Sequence, residues 1–432
     1  MPTKPTFNEA CRYWLKLGWI SFGGPTGQIA IMHKDLVEKK KWIGEDHFLQ
    51  ALNFCMLLPG PEAQQLTIYI GWLLHGIRGG IVAGVLFVLP SVFILLGLSW
   101  LYAALGHLPA VDAIFYGLKP AVAAIVAEAV LRIGKKSLKN EVLILLAALS
   151  FIGIYFLQIP FPAIILGAGL IGWLGSTLLP SKFVVTGKTR TTAAEYVLHD
   201  ASPTQDQQAN WRHSLKVIAV CLPLWFMPVV ALGFWRGWQD IFVKIGLLFS
   251  QAAMVTFGGA YAVLAYISQQ AVGHYGWLRP EQMIDGLGLA ETTPGPLIMV
   301  TQFVGYLAAY SHAAGLTPAL AGLIGGLLAT WVTFTPCFMW ILVGAPYIEK
   351  LRKNVKLGAA LSAITAAVVG VVLNLSVFFA RHVLLPEGQG FDWYALAAAI
   401  IAFVGMLRFK WGMIPVICGS ALAGLAWKML LN

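Results

Sequence analysis

Long apolar runs with almost no charge leave this chain few ways to fold. Ile81–Leu105, Val142–Leu157, Phe161–Leu179, Leu215–Gly233, Ala319–Val343, Leu357–Ala380, Tyr394–Leu407 and Ile414–Leu430 are nearly free of ionisable residues. A helix that crosses a bilayer needs about 20 apolar residues. A membrane β-barrel would show short alternating segments instead. The runs therefore predict an all-α polytopic integral membrane protein. The balance of residues agrees, with 11% charged against about 25% in soluble domains. Arg12 and Lys16 interrupt the first apolar stretch, and no small-residue cleavage site follows it, so it does not read as a cleavable signal.

The formal net charge is +10. In a membrane protein such an excess fixes topology through cytoplasmic Lys and Arg, so no nucleic-acid partner is expected. The five cysteines are scattered and form no CxxC pair, and no HExxH spacing is present. Neither a disulfide framework nor a metal site is expected, and no cofactor. Without HExxH, GxSxG or a paired-Asp signature at membrane depth, the chain does not read as an enzyme.

The chain repeats itself. Phe22-Gly23-Gly24 and Phe257-Gly258-Gly259 stand 235 residues apart, as do Trp42 and Trp277, Asp46 and Glu281, and Pro59-Gly60-Pro61 and Pro294-Gly295-Pro296. After an insertion near Tyr306–Leu316 the offset becomes 246, pairing Pro90 with Pro336, and it reaches 252 where Phe151 meets Phe403. This divides the chain into a first repeat (1–180), a polar linker with one connecting span (181–242) and a second repeat (243–432). One extra span, Leu215–Gly233, reverses the second copy, which predicts two inverted-topology repeats of the kind found in secondary transporters.

The basic loops Arg132–Lys139, Lys182–Lys216 and Lys350–Lys356 belong in the cytoplasm. The loop His33–His47 also holds four lysines. It lies inside if the FGG and PGP segments are re-entrant, and outside if they cross fully, giving thirteen spans. Each leg beside PGP has about 11–13 residues, half of a core about 30 Å thick at about 1.5 Å per residue. The re-entrant arrangement is therefore preferred, with full spans as the alternative.

Pro-Gly-Pro cannot continue an α-helix, and Pro61 and Pro296 are expected to open new helices at their first position. Gly23-Gly24-Pro25 and Gly258-Gly259 break their helices similarly. Each break leaves free N–H groups and a partial positive charge at a new helix start, a site for an oxyanion. Phe22, Gly23, Gly24, Pro25, Pro59, Gly60, Pro61, Phe257, Gly258, Gly259, Pro294, Gly295 and Pro296 are the candidate binding residues. Gln64, Gln65, Thr67, Thr292, Thr293 and Gln302 offer neutral donors beside them. The competing reading is that the breaks are kinks or packing sites.

FGGPTGQIA followed by Trp and LPGPEAQQLTIYIG, and FGGAYAVLAYI followed by Trp and DGLGLAETTPGPLIMVTQFVG, resemble the chromate ion transporter family in its two-domain long form. The resemblance covers nearly the whole chain. It implies a multi-pass carrier of the bacterial or archaeal inner membrane that exports chromate, driven by the proton-motive force. Some relatives are linked to sulfate, so a sulfate or other tetrahedral oxyanion carrier is the alternative, for uptake or exchange. Gln28 stands where the resemblance leads one to expect His, which bears on any proton role there. A homodimer is left open.

Charges at membrane depth are costly and tend to be functional. Glu62 and Glu291 flank the two PGP breaks and are the candidates for proton coupling; capping of broken backbone is the other reading. Arg12, Lys16, Arg78 and Lys119 are candidates for an anion path, with snorkelling to headgroups as the alternative. Glu128 and Arg132 have the spacing of an i,i+4 pair.

Overall fold

The computed structural model describes residues 4–106, 108–178, 180–183, 211–257, 259–313, 315–348, 354–388 and 390–431. Gly258, the polar stretch 184–210 and residues 349–353, which carry part of the expected basic loops, lie outside the described residues. Among the described residues there is no strand, and seven helices are long and apolar enough to cross a membrane.

The first half runs α1 (Phe7–Ile20), α2 (Gly24–His33), α3 (Glu45–Cys55), α4 (Glu62–Leu105), α5 (Pro109–Ser137), α6 (Glu141–Tyr155) and α7 (Phe161–Leu178), ending in the short α8 (Pro180–Phe183). The connecting helix α9 (Trp211–Arg236) follows. The second half runs α10 (Ile241–Val255), α11 (Ala260–Ser268), α12 (Pro280–Thr292), α13 (Val300–His312), α14 (Pro318–Gly344), α15 (Val355–Leu384), α16 (Trp393–Phe409) and α17 (Met413–Leu431). The helices break at both FGG and both PGP motifs, as the sequence predicts.

Helix α4 is two helices joined by a sharp turn. His75 (φ −138°, ψ 25°) and Gly76 (φ 64°, ψ −156°) are non-helical, and 77–105 folds back along 62–74. Small residues let the two backbones touch. A Cβ on Gly71 would fall 2.6 Å from the Gly79 carbonyl oxygen and 2.6 Å from Ala83 Cβ. Helices α13 and α14 form the same hairpin, with Gly305 against the Gly325 carbonyl and Ala329. In the second half a longer α13 and the connection 313–317 replace the tight turn at His75–Gly76, which is where the sequence offset grows from 235 to 246. Apolar side chains have no reason to leave lipid for each other, so close backbone approach supplies the packing energy.

The remaining helices interlock across the halves. Helix α5 packs on α15, α16 and α17, while α15 packs on α5, α6 and α7. Gly117 on α5 meets Gly424 on α17, and Gly172 on α7 meets Ala359 and Ala363 on α15.

The segments between FGG and PGP are also matched. Lys34–Lys39 and Gln269–His274, 235 residues apart, both adopt a π-helical turn. Each is followed by the motif Trp, whose amide donates to the Leu36 or Ala271 carbonyl at 2.8 Å. Trp42 is 3% exposed, lies edge-on to Tyr13 and Trp14, and is covered by the Lys40 ammonium 4.7 Å above its ring. Trp277 stacks on Tyr275 at 4.4 Å. The two tryptophans anchor these connections. Asp46 and Glu281 stand in the first turns of α3 and α12, where a negative charge is favoured.

Candidate functional site

Each PGP loop is held by the FGG motif of the other half. The Gly60 amide donates to the Thr256 carbonyl at 2.9 Å, and the Gly295 amide donates to the Ser21 carbonyl at 2.8 Å. Thr256 and Ser21 are the residues just before the two FGG motifs. Gly60 and Gly295 lie 235 residues apart, and so do Ser21 and Thr256. The four breaks are therefore brought together as two crossed pairs.

Backbone conformation explains why these loops need glycine. Gly60 has φ +127° and Gly295 has φ +102°, a region that penalises any Cβ. Space is as tight as geometry. A Cβ on Gly60 would lie 2.7 Å from Gln65 Nε2 and 2.9 Å from Cys337 Sγ, and one on Gly295 would overlap Ser91 Oγ. Ser91 and Cys337 each follow the internal proline of a long helix, 246 residues apart. Each loop thus packs on a helix of the opposite half.

One expectation is corrected here. Pro61 (φ −70°, ψ 109°) and Pro296 (φ −63°, ψ 132°) are N-cap residues in extended backbone, one position before the helix they were expected to open. The extended step lets the preceding glycine amide reach across to the other half. In the second half the new helix begins with a 3-10 turn, Leu297–Met299.

Side chains around the breaks differ between the halves. Gln28, 0% exposed, donates from Nε2 to the Ser21 carbonyl at 3.4 Å and also to the Gly295 carbonyl, stapling the second loop to the first FGG motif. Gln65 donates to the Pro59 carbonyl at 2.7 Å, within its own loop. Thr292 and Thr293 donate back to the Leu289 and Ala290 carbonyls, closing the end of α12, and Thr67 donates to the Ala63 carbonyl. Gln302 donates to the Val92 carbonyl at 2.8 Å, tying α13 to α4 beside Ser91. These donors are committed to the scaffold. Six other buried atoms near the loops have no hydrogen-bond partner: Ser21 Oγ, Gln28 Oε1, Gln64 Oε1, Gln65 Oε1, Ser91 Oγ and Glu291 Oε2. Buried polar atoms are nearly always satisfied, so such a cluster marks a place where a ligand or water completes the set.

The two coupling candidates sit differently. Glu291 is 2% exposed and accepts from the Tyr261 hydroxyl at 2.6 Å. It also falls in the field of Arg132 and Glu128 on α5. Glu62 is half-buried at the start of α4, within the field of Lys136. Glu128 and Arg132 form the expected pair at 3.6 Å.

Of the anion-path candidates, Arg12, Lys16 and Arg78 stand on exposed faces. Lys119 is turned inward, with Nζ 3.8 Å from Asp285 Oδ1. Asp285, 3% exposed, also accepts from the Tyr102 hydroxyl at 2.9 Å. Sequence reasoning passed over Asp285, although a carboxylate six residues before Glu291 in an apolar stretch is itself a signal. Ser21, Ser91, Tyr261 and Cys337 were also missed.

The family model "Chromate transporter" matches residues 9–173 and 243–425. A chromate transport protein of Cupriavidus metallidurans is 30% identical over 434 residues, covering 100% of this chain and 96% of the relative. One of Pseudomonas aeruginosa is 29% identical over 446 residues, covering 100% and 94%. A probable chromate transport protein of Synechococcus elongatus is 29% identical over 381 residues, covering 87% and 85%. No solved structure matches the chain. A family match over both halves, full-length similarity to named transport proteins, and seven helices able to cross a membrane make this a multi-pass membrane protein of the chromate transporter family.

Proposed function

We propose that the chain exports chromate across the bacterial cytoplasmic membrane, with the oxyanion bound where the PGP loops cross to the opposite FGG motifs. The crossed hydrogen bonds Gly60–Thr256 and Gly295–Ser21 carry this reading. They place helix starts of one half beside the broken backbone of the other, inside a shell of unspent polar atoms. Helix starts bind oxyanions through free amides and a partial positive charge. Full-length relatives are named chromate transport proteins.

In this reading the halves are inverted repeats whose FGG and PGP segments are re-entrant. The glycine-packed hairpins support it, because α13 folds back along α14 and 62–74 folds back along 77–105. Helix direction supports it too. Asp285 meets Lys119, and Glu291 meets the field of Glu128 and Arg132 further along α5, so α12 and α5 run the same way. With the basic end of α5 inside, α12 enters from outside and stops at Pro294, and α13 returns. Rocking of one repeat against the other then exposes the loops to each side in turn.

Direction follows from charge. An inside-negative potential drives an anion outward by about 2.3 kcal/mol per charge per 100 mV, so a dianion gains about 4.6 kcal/mol. Glu62 and Glu291 link this movement to protons. Flux into proteoliposomes under imposed pH and potential gradients tests the proposal. Chromate movement that follows the potential and is altered by the pH gradient is expected. Sulfate movement without chromate movement would assign the site to sulfate, and movement of neither would overturn the reading.

A further inference from the structure

We propose that the oxyanion is held by only one of the two crossed loops, Pro294–Pro296, with the hydroxyls of Ser21 and Ser91 as its side-chain donors. The proposal rests on the reading above that the chain carries a tetrahedral oxyanion, and adds where and by which groups it is held.

An anion site needs donors that are not already spent. Ser21 and Ser91 are both 0% exposed, and neither hydroxyl has a partner. Both lie at Gly295. The Ser21 carbonyl takes the Gly295 amide, and Ser91 Oγ fills the position a Cβ on Gly295 would occupy. Helix α2 begins at Gly24, three residues after Ser21, so its free amides open on the same place. Two unpartnered hydroxyls buried at a helix start are a donor set awaiting an acceptor.

The matched positions on the other loop have no such donors. Thr256, which corresponds to Ser21, returns its hydroxyl to the Ala252 carbonyl at 2.6 Å. Cys337, which corresponds to Ser91, carries a thiol, a weak donor, directed to the Thr333 carbonyl at 3.9 Å. The unspent atoms on that side are Gln64 Oε1 and Gln65 Oε1. The Gln65 amide is fixed in this sense because its Nε2 faces the Pro59 carbonyl. Carbonyl oxygens repel an oxyanion. The single acceptor left at the Gly295 loop is Gln28 Oε1, which matches the O–H of a singly protonated oxyanion. The duplicated backbone therefore offers two loops, and the side chains make one of them an anion subsite.

Chromate flux in proteoliposomes of the full chain, read as apparent KM and kcat, tests this. Ser21→Ala and Ser91→Ala are each expected to raise KM about tenfold, the loss of one hydrogen bond to a charged group. Ser91→Cys keeps the side-chain volume, copies the residue at the matched position and is expected to raise KM as well. Thr256→Val and Cys337→Ala are expected to leave KM within about twofold. Equal rises on both sides, a rise only at Thr256 and Cys337, or an unchanged KM in both serine variants overturns the one-sided subsite. If wild-type vesicles move no chromate, the transport reading is what fails. The subsite is then judged by the thermal stabilisation that sodium chromate, sulfate and molybdate give the purified protein. Stabilisation lost in both serine variants and kept in Cys337→Ala upholds it. Any other pattern, no stabilisation included, overturns it.

Discussion

The loops at Gly60 and Gly295 have the same backbone plan and nearly opposite surroundings. Each glycine has positive φ, each donates its amide to the residue before the other half's FGG motif, and each packs on the residue after a helix-internal proline. Around Gly295 stand Ser21, Ser91, Gln28 and, on the helix before it, Glu291 with Tyr261. The positions matched to these are Thr256, Cys337, Val263, Met56 and Thr26. Around Gly60 stand Gln65 and Glu62, matched by Val300 and Leu297. The contrast separates two jobs. The duplicated backbone provides two equivalent breaks that can move against each other, and the unmatched side chains decide what each break can bind.

Forcing a Cβ into each loop gives the largest expected effect. Gly295→Ala should abolish transport while the protein still reaches the membrane, because positive φ costs about 1–2 kcal/mol for a residue with a Cβ and the new methyl overlaps Ser91 Oγ. Gly60→Ala meets the flexible end of Gln65 and the Cys337 thiol instead, at 2.7 and 2.9 Å, and should lose transport with less disturbance to folding. Adding Ser91→Gly should return thermal stability to Gly295→Ala but not transport. Membrane abundance, unfolding temperature and flux separate these outcomes. Equal behaviour of the two alanine variants would show that the surroundings of the loops do not matter.

The next effect belongs to the helix that leads into the second loop. Asp285 on α12 is held by Lys119 and Tyr102, whereas Gln50, at the matched position on α3, carries no charge. Removing one partner of a buried pair leaves an uncompensated charge, worth about 3–5 kcal/mol when burial is complete. Lys119 keeps 20% of its side-chain surface, so Asp285→Ala should cost about 2 kcal/mol, seen as a lower unfolding temperature. The double variant Asp285→Ala, Lys119→Met should recover most of it. A double variant no better than the single one would mean that the pair is not coupled.

Glu291 and Glu62 give a smaller and more specific contrast. Glu291→Gln should leave chromate flux insensitive to an imposed pH gradient while flux still follows the membrane potential, and Tyr261→Phe should weaken the gradient response about threefold. Glu62→Gln, at a half-buried position, should have the lesser effect. Gradient dependence intact in Glu291→Gln would remove this carboxylate from coupling.

Much of this architecture is legible in the chain because it is written in local terms. Apolar runs define the helices, Pro and Gly mark the breaks, and a constant offset pairs the halves. The positions of Asp285, Ser91 and Cys337 are not legible in the same way. Each acquires its meaning from a contact with the opposite half, about two hundred residues away in sequence. Ser91 reads locally as a small residue after Pro90 in a membrane span, and nothing near it names Gly295 as its neighbour. The crossing of the loops is likewise invisible from within one repeat, since each PGP motif is equally compatible with its own FGG motif or its partner's. The prolines were misplaced by one residue for the same reason, as the extended step at Pro61 and Pro296 serves a bond to the other half.

Gln28 offers the finest test of the contrast. Its amide links the carbonyls of Ser21 and Gly295, and Val263 at the matched position makes no such link. Gln28→Val would give the second loop the plain surroundings of the first. It removes two hydrogen bonds to backbone carbonyls, of which the Gly295 carbonyl loses its named partner. Each net hydrogen bond is worth about 1 kcal/mol, so the loop should loosen by about 1–2 kcal/mol. If the staple only holds the loop, Gln28→Val should raise KM about threefold, and Gln28→His, which keeps a donor, should restore it. If the free Gln28 carbonyl also accepts a proton from the bound oxyanion, the rise in KM should be greatest at low pH, where the protonated ion predominates. A pH profile of KM in the two variants distinguishes a staple from a ligand-binding group, because a staple alone shifts KM by the same factor at every pH.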